Sequence, residues 1–255
     1  MFGLDPWQIV AALGVTLFAG FVKGAIGFAM PMIMISVFGS IMPATTALAA
    51  MILPTLFSNV QQALRDGVPA ATASIRRFRL HIAMVAIFIC VSAGFANIIP
   101  QWLMYAILGV PITLFALWQL SGRPMTMSLH HRKRAEAVSG VIGGLYGGIS
   151  GIWGPPLIVY LLSIGIEKKE QVRVQGVVFL IGAVVLTVAH LFSGVLNAQT
   201  VPLSAVLCIP GFVGMKLGFA LQDRLNMGQF RRWTLVLLIL TGLNLIRRAL
   251  EIWSL

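Results

Sequence analysis

The chain has 255 residues, of which 58% are hydrophobic and 10% are charged, and its mean hydropathy is +0.94. Soluble domains contain about 45–50% apolar and about 25% charged residues, so this composition excludes a water-soluble protein and predicts an all-α polytopic membrane protein. The formal charge of +11 comes from short basic clusters that border apolar runs. Anionic lipid headgroups and the positive-inside rule account for that pattern, which excludes a nucleic-acid-binding protein.

Apolar runs between breakers divide the chain into eight hydrophobic segments. The start of the chain has neither a basic region nor a small-residue cleavage site, so we expect the first segment to be retained rather than removed as a signal peptide. The predicted segments are 7–38, 44–64, 79–98, 101–121, 136–165, 171–193, 200–221 and 229–250.

The first and fifth segments differ from the others because each is about 30 residues long and is interrupted by glycine and proline. At about 1.5 Å per residue, such a helix measures about 45 Å, which is too long for one simple span. The interruptions read GFVKGAIGFAMPMI at residues 20–33 and GVIGGLYGGISGIWGPPLI at residues 140–158. We therefore expect both segments to be broken helices.

The two interruptions align as copies of one unit. Gly20, Gly24 and Gly27 match Gly140, Gly144 and Gly147 at one constant offset, and Pro31 matches Pro156 after a short insertion. The second offset persists to the end of the fourth and eighth segments. It predicts two tandem transmembrane repeats, 1–122 and 135–255, joined by a basic cytoplasmic linker at 123–134.

Loop charge bears on how these segments cross the membrane. If all eight cross, the basic residues outside the segments divide ten to six between the two sides, whereas re-entrant first and fifth segments give fourteen to two. The positive-inside rule favours the re-entrant arrangement, with six spanning helices, two hairpins, inverted repeats and both termini outside. In that arrangement the fourteen inner residues are Arg65, Arg76, Arg77, Arg79, Arg123, Arg132, Lys133, Arg134, Lys168, Lys169, Arg173, Arg224, Arg231 and Arg232, and the outer two are Arg247 and Arg248.

Each interruption has the chemistry of an anion site. Proline suits the first turn of a new helix, and the unpaired N–H groups and positive dipole end of such a half-helix attract negative charge. The alternative is that the glycines only allow close helix packing. On the first interpretation, the substrate-binding candidates at the breaks are Gly24, Gly27, Pro31, Gly147, Gly151, Gly154, Pro155 and Pro156.

Polar residues within the segments add further candidates. Lys23 lies inside the first break, where a buried ammonium would balance an anion, although a lysine that reaches the interface is the alternative. Asn59, Gln62 and Gln175 are candidates for lining a polar path, or for joining helices by hydrogen bonds. His190 is a candidate for proton coupling, with a hydrogen-bonded packing histidine as the alternative.

The acidic residues all fall at segment ends or in loops, so no carboxylate is expected at mid-membrane depth. Cation transport and carboxylate proton relays depend on such a group. No nucleophile with a base, pair of acids or metal-ligand set lies within the segments, which argues against an enzyme and predicts neither a cofactor nor a metal site.

The opening GFVKGAIGFAMPMI, its degenerate copy GGLYGGISGIWGPPLIVYLL and the basic stretch before that copy resemble the sulfite exporter TauE/SafE family, also called the toluene-sulfonate uptake permease family. The resemblance covers essentially the whole chain. It implies transport of sulfite, sulfonates or related organic anions across a bacterial inner membrane. The chain departs from the usual pattern at Phe28, Ala29 and Met30, where the family suggests a glycine-rich run.

These observations together favour a multi-pass secondary transporter for a small anion, with the lipid bilayer around it and protons as a candidate coupling ion. An anion channel and a membrane accessory or assembly protein without transport stay open as alternatives. Association into a homo-oligomer also stays open.

Overall fold

A computed structural model describes residues 4–122, 132–166, 168–221 and 227–254. All regular structure within these ranges is helical, which confirms the predicted all-α class. Of the linker predicted at 123–134, residues 123–131 lie outside the described residues. Eleven α-helices lie in the described ranges: α1 (Pro6–Ile26), α2 (Met30–Ile41), α3 (Ala44–Ala63), α4 (Val68–Arg77), α5 (Arg79–Ala93), α6 (Gln101–Leu120), α7 (Arg132–Ser150), α8 (Gly154–Ser163), α9 (Lys168–Phe192), α10 (Val201–Leu221) and α11 (Met227–Trp253).

Several of these helices are long and apolar enough to cross a bilayer. The described stretches that meet this condition number five, or six if α3 and α4, which are bent by 104° relative to each other, form one span. A multi-pass membrane protein follows from these lengths. The five stretches are Pro6–Ala25, Arg79–Asn97, Gln101–Leu120, Glu170–Phe192 and Val201–Ala220.

Both overlong segments are broken as predicted, and each break produces a hairpin of two helices. The Gln8 side-chain amide, near the start of α1, donates to the carbonyl of Ile41 at the end of α2, over 2.5 Å. The Tyr160 hydroxyl, late in α8, lies 3.5 Å from the Glu136 carboxylate at the start of α7. Each hairpin therefore returns to the end of the bundle at which it begins.

Contacts between helix termini define the two ends of the bundle. At one end, which we call the basic end, Arg77 of α4 pairs with Glu170 of α9, and the Arg65 guanidinium lies 4.6 Å from the ring centroid of Phe219 in α10. At the opposite end, the Arg248 guanidinium of α11 lies 4.8 Å from the Tyr105 ring centroid of α6. The α1–α2 hairpin opens at this opposite end, whereas the α7–α8 hairpin opens at the basic end.

The helices pack in pairs, with α1 against α10, α7 against α5, α6 against α11 and α3 against α9. Glycines bring two of these pairs to backbone contact. A Cβ at Gly20 would overlap the Gly211 carbonyl of α10, and a Cβ at Gly144 would lie 2.8 Å from the Val85 carbonyl of α5. The packing interpretation therefore accounts for Gly20 and Gly144, and it also accounts for Gly24 and Gly140, which face α10 and α5 in the same way.

Candidate functional site

The first break lies at residues 27–29, between α1 and α2. The chain reverses there because Gly27 and Ala29 both have positive φ, 85° and 78°. Glycine adopts this conformation without penalty, but alanine is strained in it by about 1 kcal/mol. The Gln62 side-chain amide of α3 donates to the Gly27 carbonyl over 2.9 Å, which fixes the reversal. The departure noted at residue 29 is therefore a strained position at the tip of the hairpin.

The second break lies at residues 151–153, between α7 and α8. Gly151 has a φ of 70°, and α8 begins at Gly154, directly before two prolines. A Cβ at Gly147 would lie 3.1 Å from the Trp153 side chain, so the glycine leaves room for this indole. Both breaks thus combine a left-handed residue with a helix whose first turn contains proline.

The tips of the two hairpins meet in the interior of the bundle around a small cavity of about 30 Å³. This space holds about two water molecules, so any larger ligand must move the two breaks apart. The walls come from both breaks, from α3 and from α9, and consist of Phe28, Ala29, Pro31, Met32, Thr55, Asn59, Gly151, Ile152, Trp153, Gly154, Pro155, Ile158 and Phe179.

Lys23 lies next to this cavity and is 1% exposed. Its ammonium donates to Ser58 Oγ over 2.9 Å and to Asn59 Oδ1, both on α3. The ion pairs found among the described residues join Arg77 or Arg173 to Glu170 and Arg247 to Glu251, so none of them neutralises Lys23. A buried cation held only by neutral oxygens is stabilised by an anion that enters beside it.

Asn59 connects Lys23 to the cavity. Its Oδ1 accepts from the Lys23 ammonium, and its Nδ2 donates to the Phe179 carbonyl of α9 over 3.0 Å. Both ends of the amide are therefore engaged, and the orientation of the side chain in the cavity wall is fixed. Hydrogen bonds through Asn59 thus join α1, α3 and α9 next to the cavity.

Two other residues of the cavity wall carry polar atoms that have no hydrogen-bond partner within the described part of the chain. These atoms are Thr55 Oγ1 and Trp153 Nε1, and both are buried. An indole N–H only donates, and a threonine hydroxyl donates readily. A buried polar atom without a partner is costly, so two such donors around one cavity favour a ligand that accepts hydrogen bonds, as an oxyanion does.

The structure brings some of the predicted candidates together and separates others. Those in the cavity wall are Pro31, Asn59, Gly151, Gly154 and Pro155. Gly27, Gln62 and Gly147 support the breaks, whereas Gly24 faces α10 and Gln175 is buried on α9 outside the cavity wall.

Pro156 lines a second, apolar cavity of about 230 Å³ that adjoins the first. The two cavities share Met32, Ile152 and Pro155 as their common wall. The larger space lies between α2, α6, α7 and α8, on the side of the break away from Lys23 and α3.

His190 does not lie at the breaks. Its Nε2 is 2.8 Å from the Gly148 carbonyl and its Nδ1 is 3.1 Å from Ser193 Oγ. Because both ring nitrogens have partners and the ring is fully buried, the contacts match those of a packing histidine that joins α9 to α7. The Gly148 carbonyl only accepts, so Nε2 donates to it and Nδ1 of the neutral ring accepts from the Ser193 hydroxyl.

Sequence reasoning missed Thr55, Trp153 and Phe179 as residues of the cavity wall. Trp153 had a visible signal, since it stands inside the second break between two glycines. Thr55 and Phe179 lie within ordinary apolar runs on α3 and α9, and only the packing of those helices brings them to the breaks.

The family model of the sulfite exporter TauE/SafE family matches residues 12–245, which is most of the chain and includes both breaks. The chain belongs to the sulfite exporter TauE/SafE family. The resemblance inferred from the two glycine-rich breaks is thereby confirmed. As a TauE/SafE member, the chain is a membrane transporter of sulfur-containing anions rather than a member of an enzyme family. No curated protein and no solved structure matches it.

Proposed function

We propose that this TauE/SafE protein is a secondary transporter that moves a small sulfur-containing oxyanion, sulfite or an organosulfonate, across the bacterial inner membrane. The observation that carries the proposal is the cavity between the two breaks, with Lys23 beside it and with Thr55 and Trp153 in its wall. A positive charge that reaches the cavity wall through Asn59, and two wall residues with unpartnered donors, are groups that could stabilise an oxyanion.

The two half-helices add to this electrostatic environment. α2 and α8 begin at the cavity, and the first N–H groups of a helix have no partner within it. The positive ends of the two helix dipoles are therefore directed toward the cavity. The adjoining apolar cavity offers room beside the oxyanion for a short organic group, which supports organosulfonates as well as sulfite.

Alternating access would follow from an inverted-repeat arrangement. The pairing of α1 of the first repeat with α10 of the second is mirrored by that of α7 of the second repeat with α5 of the first, and the two hairpins open at opposite ends of the bundle. This exchange supports the proposed repeats, 1–122 and 135–255, and a rocking movement that exposes the cavity to each side in turn.

Counterflow in proteoliposomes tests the proposal. Vesicles loaded with unlabelled sulfite or methanesulfonate and diluted into a trace of the same labelled anion should accumulate the label transiently, with saturation as the internal anion is raised. A channel would equilibrate the label without such an overshoot. A protein without transport activity would give the flux of empty vesicles, and either result would overturn the proposal.

A further inference from the structure

A second polar cluster lies at the basic end of the bundle, away from the cavity. It joins His81 near the start of α5, Glu136 and Ser139 near the start of α7, and Tyr160 late in α8. His81 is fully buried, and its ring is parallel to that of Tyr160 with 6.3 Å between centroids. The Glu136 carboxylate accepts from the His81 backbone N–H over 3.2 Å and lies 3.5 Å from the Tyr160 hydroxyl.

The hydrogen bonds identify which ring nitrogen of His81 carries the hydrogen. The Ser139 hydroxyl donates to the Glu136 carbonyl over 3.0 Å, so its oxygen is available as an acceptor. His81 Nδ1 lies 3.0 Å from that oxygen and 3.4 Å from the Glu136 carbonyl, which only accepts. Nδ1 therefore donates, and Nε2 of the neutral ring carries the lone pair.

Nε2 of His81 is buried and has no hydrogen-bond partner within the described residues. This contrasts with His190, whose two ring nitrogens are both engaged. The Glu136 carboxylate accepts from the backbone N–H of His81, so a negative charge lies near the His81 ring and favours its imidazolium form when a proton binds to Nε2.

We propose that His81 and Glu136 form the proton-binding site that couples proton movement to anion transport, with Tyr160 as the connection to the anion site. The proton comes from water at the basic end and binds to the lone pair of Nε2, which converts the neutral imidazole to imidazolium. This inference rests on the proposed transport function and assigns the residues that would supply its driving force.

The charged groups around His81 fit this role. Glu136 and Arg132 lie on α7, and the Arg132 side chain interacts with the Tyr160 hydroxyl of α8. At the same end, Glu170 and Arg173 on α9 pair with each other, and Glu170 also pairs with Arg77. In the described region, Glu136 is thus the carboxylate in contact with His81.

The physical connection between the two sites is α8. Gly154 and Pro155 at its start line the anion cavity, and Tyr160 in its last turns contacts Glu136. Six residues of helix place these two points about 9 Å apart on one rigid element. Protonation of His81 strengthens its attraction for the Glu136 carboxylate, which also contacts the Tyr160 hydroxyl, so it alters how α8 is held and thereby the position of the break.

Labelled sulfite uptake into proteoliposomes under an imposed pH gradient, with the membrane potential clamped at zero by potassium and valinomycin, tests the coupling. One coupled proton and a gradient of one pH unit correspond to about tenfold accumulation. His81→Asn retains an amide in the place of Nδ1 but binds no proton, so we expect it to keep counterflow at equal pH and to lose most of the gradient-driven accumulation. Because sulfite itself titrates equally in both samples, the difference between wild type and variant reports the protein.

His190→Gln serves as the matched control and should accumulate sulfite as wild type does. If His81→Asn does not give monodisperse protein, Glu136→Gln removes the balancing charge and should show the same loss. Gradient-driven accumulation equal to wild type in the folded variant would overturn the coupling site while leaving transport intact. Absence of counterflow in the wild-type protein would instead overturn the proposed function, and the coupling site with it.

Discussion

Lys23 is the residue whose substitution has the clearest expected effect on anion binding. Lys23→Met keeps the length and apolar stem of the side chain but removes the charge beside the cavity. A hydrogen bond to a charged group contributes about 1.5–3 kcal/mol, so anion affinity should fall about tenfold to a hundredfold. Isothermal titration of the purified protein with sulfite would measure this change.

Lys216→Met is the control for Lys23→Met, because Lys216 is exposed on α10 with its ammonium 4.5 Å from the Phe212 ring centroid. Its removal should leave sulfite affinity unchanged. Equal affinities for wild type and Lys23→Met would show that Lys23 does not contribute to anion binding and only joins α1 to α3.

Trp153→Phe tests the indole N–H in the cavity wall. Phenylalanine retains most of the ring between Gly147 and Phe179, so the break should stay packed, but the unpartnered donor is lost. We expect sulfite affinity to fall about tenfold because one hydrogen bond to the oxyanion disappears. Thr113→Val is a matched control: it removes a buried hydroxyl whose acceptor is the Gly109 carbonyl within α6, and affinity should not change. A Trp153→Phe protein that binds sulfite like wild type would show that the N–H does not contact the anion.

At the residue scale, the sequence was informative where chemistry is unusual for a membrane. An ionisable residue within an apolar run identified Lys23, and proline after glycine identified the tips of both hairpins. Thr55 and Phe179 carry no such signal, because they become wall residues only when α3 and α9 pack against the breaks. Local sequence periodicity does not predict contacts between helices that are distant in the chain.

At the level of elements, the glycines at the contact between α1 and α10 determine how closely these two helices approach each other. A Cβ at Gly24 would overlap the Met215 carbonyl and lie 3.1 Å from Gly218 Cα, both of which are backbone atoms that cannot rotate away. Gly24→Ala should therefore separate the two helices and lower the free energy of unfolding by about 1–3 kcal/mol. Thermal unfolding in detergent would detect this as a reduced Tm.

Gly14→Ala on the same helix is the control for Gly24→Ala, since nothing lies within 4 Å of a Cβ there. Alanine has the higher helix propensity, so Tm should stay constant or rise slightly. If Gly24→Ala and Gly14→Ala had the same Tm, the close approach of α1 to α10 would not contribute to stability.

The same elements show how one glycine pattern serves two purposes. Gly20, Gly24, Gly140 and Gly144 lie at four-residue spacing and pack against another helix, while Gly27 and Gly151 have positive φ and reverse the chain. Sequence spacing alone cannot separate these roles, because both require the absence of a side chain. The glycines that reverse the chain are those that lie just before a helix with proline in its first turn.

At the scale of the whole molecule, the arrangement of charge and the direction of the hairpins are mutually consistent. Arg77, Arg173 and the start of α7 share the end at which the α7–α8 hairpin opens, and Arg248 lies at the other end beside the opening of the α1–α2 hairpin. Loop charge predicts two re-entrant hairpins that open on opposite sides of the membrane, and this membrane topology stays a prediction. The unequal lengths of the two helices in the first hairpin were not predicted: α1 has 21 residues, whereas α2 has 12.

Reporter fusions test the orientation that these features imply. If the basic end lies in the cytoplasm and both broken segments re-enter, the six other predicted passes place the start of α1 and the end of α11 on the outer side. Alkaline phosphatase fused after residue 255 should be active, and a green fluorescent protein at the same position should be dark. A fusion at residue 122 provides the internal control and should show the opposite pair of results, because α6 ends at the basic end. A fluorescent fusion after residue 255 would mean that both broken segments cross the membrane fully, and the repeats would then be parallel rather than inverted.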